Sequence, residues 1–412
     1  MPTHHVHRIF AVALALAAAA TLGAQDWDQW RGASRTGVTT SFTPPAKWPD
    51  KPVRAWQVKI GTGHSSPIAA GGRVYQLSRL GEQEVVTALD VASGKQLWQQ
   101  RYDAPYQVNP AAESHGKGPK STPALAGTRL FTLGISGTIS AFEAATGKVL
   151  WRKQYTKPFD ASAPDFGVAM SPIVENGLVC VHVGGNTSGA FVALDVATGA
   201  EKWSWKGDGP AYASPVVGVF GKTRHLITQS RSHLVGLNAA DGSLLWQIPL
   251  KTAYDQNIIT AVVVGDRVIY SGIEKPLTAV RIVQAGGKWT AQPLWQNPDL
   301  PLYMTAPVAA GGQLFGFTHR NKGQFFAVDV TSGKTLWTTR GREAENAALV
   351  AAGDLLLATT TEGELVVARR DPAAFAMIKR YTIADSPVWA HPAPAGRGVL
   401  IKDAESLAYW TF

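Results

Sequence analysis

Ala88-Leu89-Asp90-Val91-Ala92-Ser93-Gly94-Lys95-Gln96-Leu97-Trp98 recurs without gaps at residues 141–151, 193–203, 236–246 and 327–337. Each copy has Asp, Glu or Asn at its third position, Gly four residues later and Trp four later again. Each part has a physical job. The acidic or amide side chain bonds to backbone N–H groups two residues on, as an Asx-turn. The Ser/Thr/Asp-Gly pair suits a tight hairpin turn in which Gly takes φ > 0. The Trp buries a large ring and keeps one N–H donor for a partner.

Working outward, each copy is preceded by two more short strands. In the second unit these are residues 123–126 and 129–133; residues 138–142 then lead into the turn, and 148–153 carry the Trp. Apolar residues alternate with small or polar ones, which suits stacked sheets rather than helices. Units start near Ser65, Ser121, Ser171, Ser214, Thr260, Thr305, Asn346 and Trp389. Trp56, Trp98, Trp151, Trp203, Trp246, Trp295 and Trp337 mark outer strands and are expected to dock between blades. Their mean spacing of about 47 residues falls in the ~40–50 range of propeller blades. The fifth unit carries extra residues around Gly286-Gly287-Lys288, and the seventh lacks both Gly and Trp between Arg369 and Tyr381. The eighth stops at Phe412 after three strands. Its fourth is expected from residues 53–60, which would close the ring and leave no free edge. The reading is all-β: a single eight-bladed β-propeller of four-stranded antiparallel blades over residues 53–412, completed by an N-terminal strand. Residues 25–52 form a lead-in.

Residues 1–24 read as a secretory signal peptide. Arg8 is the positive n-region, residues 9–22 are apolar, and Leu22-Gly23-Ala24 offers small residues for cleavage. About 14 apolar residues is short of the roughly 20 a spanning helix needs. The His4-His5-Val6-His7 cluster goes with the leader. An exported chain is expected, periplasmic or extracellular, without a transmembrane segment after cleavage, and monomeric.

The whole chain has 412 residues with Lys+Arg 39 and Asp+Glu 30, a formal charge of +9, and 45% apolar residues. That apolar fraction supports a packed core. The single Cys excludes an intramolecular disulfide, a Cys-based zinc finger and a ferredoxin-type cluster. Cys180 lies in an apolar strand and reads as a buried thiol. The basic balance without a dense Lys/Arg tract, on an exported chain, does not point to nucleic acid; attraction to anionic envelope polymers fits better.

The A-x-D-x-x-[ST]-G-K-x-x-W unit resembles the tryptophan-docking repeat of pyrroloquinoline quinone (PQQ) propellers, and similar repeats occur in BamB-type outer-membrane assembly factors. The resemblance spans essentially residues 53–412. Asp26-Trp27-Asp28-Gln29-Trp30-Arg31-Gly32 also looks like the W-x-x-W-R-G lead-in of exported PQQ-like repeat proteins. The resemblance implies an eight-bladed scaffold and, in its quinoprotein branch, PQQ with calcium in a central funnel. The sequence departs from both branches. It lacks the adjacent Cys-Cys pair that many quinoproteins carry, it offers no assignable Glu, Asn and Asp calcium set, and it has no lipobox Cys.

Successive loops of an up-and-down blade alternate faces. The Ser/Thr-Gly-Lys turns share one face; the links between blades and the second-to-third-strand loops share the other, whose length and variety suit binding. Residues 103–120 form the longest link and bring His115, Lys117 and Lys120. Its glycines and cations suit an anion or a carbonyl-bearing ligand. Ser230-Arg231-Ser232-His233 and His319-Arg320-Asn321-Lys322 occupy equivalent loops. Cations on three loops of one face suggest an anionic partner. Residues just before the inner strands should ring the channel mouth: His64, Lys120, Asp165, Tyr212, Asn257, Tyr303, Glu345 and Trp389, with His391 just inside. Mixed groups at a concave mouth are the default small-ligand site. No metal site is assigned. Gly333-Lys334-Thr335 lacks the earlier glycine of a P-loop, and there is no G-x-S-x-G or H-E-x-x-H. Three function classes stay open: a binding or scaffold module with a small or anionic ligand or envelope-protein partners; a PQQ- and calcium-dependent oxidoreductase; and a funnel hydrolase or lyase using Asp165, Asp255, Glu343 or Glu345.

Overall fold

The computed structural model describes residues 26–155, 164–186 and 188–412; the leader at residues 1–24 lies outside them. Eight antiparallel four-stranded meanders are arranged around one axis. Inner strands begin at Ile68, Ala124, Ile173, Val216, Val262, Val308, Ala347 and Ala393, and those of blades 2 and 3, of blades 4 to 7 in succession, and of blades 8 and 1 touch. Blade 2 runs Ala124–Ala126, Arg129–Leu133, Thr138–Glu143 and Val149–Gln154, within two residues of the sequence reading. The extra residues of blade 5 lengthen its outer hairpin, Lys275–Ala285 and Lys288–Asn297. In blade 8, Val53–Lys59 pairs antiparallel with Ser406–Thr411, so the two ends of the chain share one sheet as expected. Among the described residues no helix is long and apolar enough to cross a membrane.

The core is a set of layers between blades rather than one centre. Phe131, Phe191 and Leu237, for instance, pack across blades 2, 3 and 4. The repeat explains how the layers are joined. Every outer strand carries a bulge beside its Trp or the equivalent residue. Ala88, Ala141, Ala193, Gly236 and Ala327 stand opposite the Trp across the ladder, so the small first residue of the motif makes room for the indole. For Trp56, Trp98, Trp151, Trp203 and Trp295 the ring then lies over the Gly turn of the next blade. Trp56 donates to Val91 O, Trp98 to Ala144 O, Trp151 to Val196 O, Trp295 to Val330 O and Trp337 to Asp371 O, at 2.8–3.2 Å.

Two of the expected docking residues differ. Trp203 covers Gly242, but its buried Nε1 has no partner. Trp246 donates within its own blade, to His225 Nδ1 at 3.0 Å, because blade 5 offers no motif turn to receive it. Between blades 7 and 8, where the motif is missing, the lead-in supplies the aromatic. Trp48 packs on Phe412 and Tyr381, and the Tyr381 hydroxyl donates to Pro49 O.

The rest of the lead-in threads the ring axis and touches every blade. Trp27 exchanges backbone bonds with Ala69 of blade 1, and Asp28 O accepts from Leu125 N of blade 2. Arg35 donates to Ser171 O and Pro172 O of blade 3 and to Pro215 O of blade 4. Trp30 donates to Thr260 Oγ1 ahead of blade 5, and Arg31 to Pro307 O of blade 6. Val38–Thr39 pairs parallel with Ala351 and Ala352 of blade 7, and Thr43 N donates to Gly396 O of blade 8. Residues 26–43 are therefore a plug in the channel, and the site forms on top of it.

Candidate functional site

The mouth of the ring is stitched by Ser and Thr side chains at the blade starts. His391 N donates to Ser66 Oγ, Ser66 N to Thr122 Oγ1, Thr122 N to Ser171 Oγ and Ser171 N to Ser214 Oγ. Each bond runs from one blade to the next. This belt fixes the residues just before it, which face the axis. Above it lies a pocket of about 170 Å³. Trp30 of the plug is part of its lining, its ring set edge-on to His391 at 4.3 Å.

The walls are aromatic. His64, His115 and Trp389 form one edge-to-face cluster, with centroids 5.3–6.0 Å apart. Phe166 and Tyr212 form another at 5.7 Å. Tyr303, Met304, Gln256 and Asn346 complete the far side. Lys120 Nζ donates to Phe166 O at 2.5 Å, and His64 Nε2 sits 3.1 Å from His115 O. Burial pushes the Lys120 ammonium down to about 8. Burial, then the Lys120 charge and His115, pushes His64 down to about 3. Burial and then Arg31 push His391 down to about 3. Lys120 is the one charged side chain lining this pocket among the described residues, and no carboxylate joins it.

Of the ring read from sequence, His64, Lys120, Tyr212, Tyr303, Trp389 and His391 converge here, joined by His115 of the long link. Others turn away. Asn257 is fully buried: its amide donates to Ser230 O, Arg231 O and Leu250 O, while neighbours Gln256 and Ile258 reach the pocket. Asp165 accepts from Asn109 and Asn186 amides, and its neighbour Phe166 takes the lining position. Glu345 faces a second, shallower hollow shared by Tyr303, His319, Lys322, Arg342 and Glu343, leaving the mouth to Asn346. Arg320 is exposed and lines neither hollow. Backbone alternation in the links explains the one-residue misplacements at 165, 257 and 345. Trp30, Phe166, Gln256 and Met304 escaped the sequence reading; the blade-start positions Ser214, Thr260 and Asn346 were in view as strand signals only.

The loop cations are largely spoken for. Lys117 pairs with Glu82 at 3.0 Å, Arg231 with Asp255 at 2.7 Å, and His233 Nδ1 lies 3.2 Å from Asp208. The carboxylates considered for hydrolysis are also apart from the mouth: Asp255 is held by Arg231 and Glu343 by Arg380. Among the described residues, no three of His, Cys, Asp and Glu come together in a way that could hold a metal ion. Calcium takes six to eight oxygen ligands, commonly including carboxylates, and the mouth pocket presents none. The residues present therefore do not fit a calcium-bound quinone.

Comparison with known proteins adds to this picture. The family described as outer membrane protein assembly factor BamB matches residues 81–339. The BamB of Yersinia pestis is 26% identical over 222 residues, 51% of this chain and 51% of that protein; the chain thus spans about half the length of this relative. Quinohemoprotein alcohol dehydrogenase ADH IIB of Pseudomonas putida is 29% identical over 185 residues, 42% of this chain and 26% of that one. In three dimensions the chain resembles BamB from Moraxella catarrhalis, with a TM-score of 0.63 at 15% identity over 88% of this chain and 98% of the other.

Proposed function

The chain belongs to the outer membrane protein assembly factor BamB family of PQQ-like propellers, and from that premise we propose that it is an exported binding propeller of the cell envelope. Its loop-rich face is the scaffold surface, and its mouth pocket takes a small organic anion. The observation that carries the ligand reading is the pocket's composition: one half-buried cation, Lys120, among aromatic edges and neutral imidazoles, with no carboxylate to compete for it. A planar carboxylate would gain a charge-assisted bond in a half-dry site, where such bonds are strongest.

The likeness to quinohemoprotein dehydrogenases supports a second reading, an oxidoreductase using PQQ and calcium. The donor set weighs against it. PQQ is a planar polycarboxylate and could meet Lys120 and the aromatic walls, but its calcium would find no carboxylate there. The test is thermal unfolding of the purified protein with PQQ and with simple aromatic carboxylates, each with and without calcium. Stabilisation that is independent of calcium and lost in Lys120→Met is expected. At a hundredfold excess over Kd it amounts to about 2.7 kcal/mol. Stabilisation that requires calcium would instead favour the oxidoreductase. No stabilisation by any of these anions would sink the ligand reading and leave the scaffold alone.

A further inference from the structure

The plug carries two guanidinium groups into the ring axis, and they are treated differently. Arg35 uses all three nitrogens, donating to Pro215 O at 2.7 Å, Pro172 O at 2.8 Å, Ser171 O at 3.1 Å and Gln29 Oε1 at 3.1 Å. Arg31 is 1% exposed, and only its Nη2 is used, by Thr36 O and Pro307 O. Its Nε and Nη1 are buried without a partner. Neither arginine is ion-paired with a carboxylate among the described residues. Of the two acids of the plug, Asp26 accepts from Gly71 N and Asp28 is pushed up to about 6 by burial; neither forms an ion pair with Arg31. On the blade 8 side, His391 Nδ1 is also buried and unpartnered, within electrostatic reach of Arg31.

A buried guanidinium cannot shed its proton as a lysine can. Its cost must be met by acceptors or by a counter-charge. For Arg35 the acceptors are backbone carbonyls. For Arg31 three N–H groups remain and the protein offers them nothing. We propose that the channel holds a small monovalent inorganic anion, of the size of chloride, against Arg31 Nε and Nη1 beneath the mouth pocket. The anion is an internal counter-ion that locks the plug to blades 6 and 8. It is separate from the ligand at Lys120, because Arg31 is not among the residues that line the mouth pocket, whereas its chain neighbour Trp30 is.

The experiment has two arms on the full exported protein. Crystals soaked in sodium bromide should show an anomalous peak within hydrogen-bond reach of Arg31 Nη1 or Nε. Thermal unfolding at constant ionic strength, with gluconate replaced stepwise by chloride or bromide, should show a midpoint that rises with halide, and Arg31→Gln should flatten that dependence. If Arg31→Gln does not fold, the wild-type arms still decide. No bromide peak, with water at these nitrogens, overturns the proposal. So does a peak without a halide effect in solution, which would mean binding at crystal concentration only.

Discussion

The indole N–H of Trp98 in blade 1 donates to the carbonyl of Ala144 in blade 2 at 3.0 Å, and its ring covers Gly147 of the same neighbouring turn. One residue thus fills a layer of the core, satisfies a turn carbonyl and sets the angle between two blades. Trp98 is buried, so Trp98→Ala should cost about 3–5 kcal/mol from lost packing and the cavity left behind. Gly147 has φ +76°, and a Cβ there would stand 2.6 Å from the Trp98 ring. Gly147→Ala should therefore destabilise as well, by strain rather than by a void. Urea unfolding of both variants measures this, and a loss below about 1 kcal/mol for Trp98→Ala would remove the docking role.

Arg35 offers a second test, this time of the plug. It reaches carbonyls at the inner edges of blades 3 and 4 that no other described side chain satisfies. Arg35→Met keeps much of the stem but strands those acceptors. Each stranded acceptor costs about 1–3 kcal/mol. A loss of at least about 3 kcal/mol is expected, together with faster proteolysis within residues 26–43. Unchanged stability would mean that the lead-in rests on the ring without bracing it.

The contrast between these two tests shows what the sequence could and could not reveal. The Trp98 contact was legible because the repeat states it five times, and a repeated spacing implies a repeated neighbour. Blade 8 was legible because a missing strand at one end had a matching strand at the other. The plug was not: Arg31 and Arg35 occur once, and nothing in local periodicity says that a short segment runs down an axis defined by distant strands. The mouth was half legible. His64, Lys120 and Trp389 follow from counting back from each inner strand, but irregular links turn Asn257 and Glu345 away. Trp48, which replaces the absent motif Trp between blades 7 and 8, falls under the same limit as the plug.

The buried imidazoles predict acid lability. Burial holds His64 and His391 down to about 3, and His182 and His225 down to about 4. Trp246 donates to His225 Nδ1, which requires that nitrogen to be unprotonated. Below the ordinary value of 6.5 the unfolded chain takes up protons that the folded chain refuses. Stability therefore falls as pH drops from about 6.5 toward 4. Asp28 and Glu84, both raised by burial, act in the opposite direction but are fewer. Urea midpoints at pH 7 and 4.5 should differ, and His64→Gln should narrow the difference. A flat profile would contradict neutral buried histidines.

Lys120 and Lys117 lie three residues apart and should behave in opposite ways. Lys117 is exposed and holds Glu82 at the surface, where an ion pair contributes little; Lys117→Ala should change neither melting nor ligand binding. Lys120 is half-buried in the pocket wall, and desolvation holds its ammonium down to about 8. A basic group lowered by folding binds fewer protons than its unfolded counterpart between about 8 and 10.5. Stability should thus rise with pH across that window, and Lys120→Met should remove part of the rise. Lys402, also lowered to about 8, keeps the remainder. Anion affinity should move the other way, weakening as pH passes 8 and the ammonium loses its proton. Calorimetric titration of an aromatic carboxylate at pH 7 and 9 separates the cases. Weakening in the wild type and in Lys117→Ala, with no binding at either pH in Lys120→Met, assigns the anion to Lys120. Equal affinity at both pH values would place the anion elsewhere on the loop face.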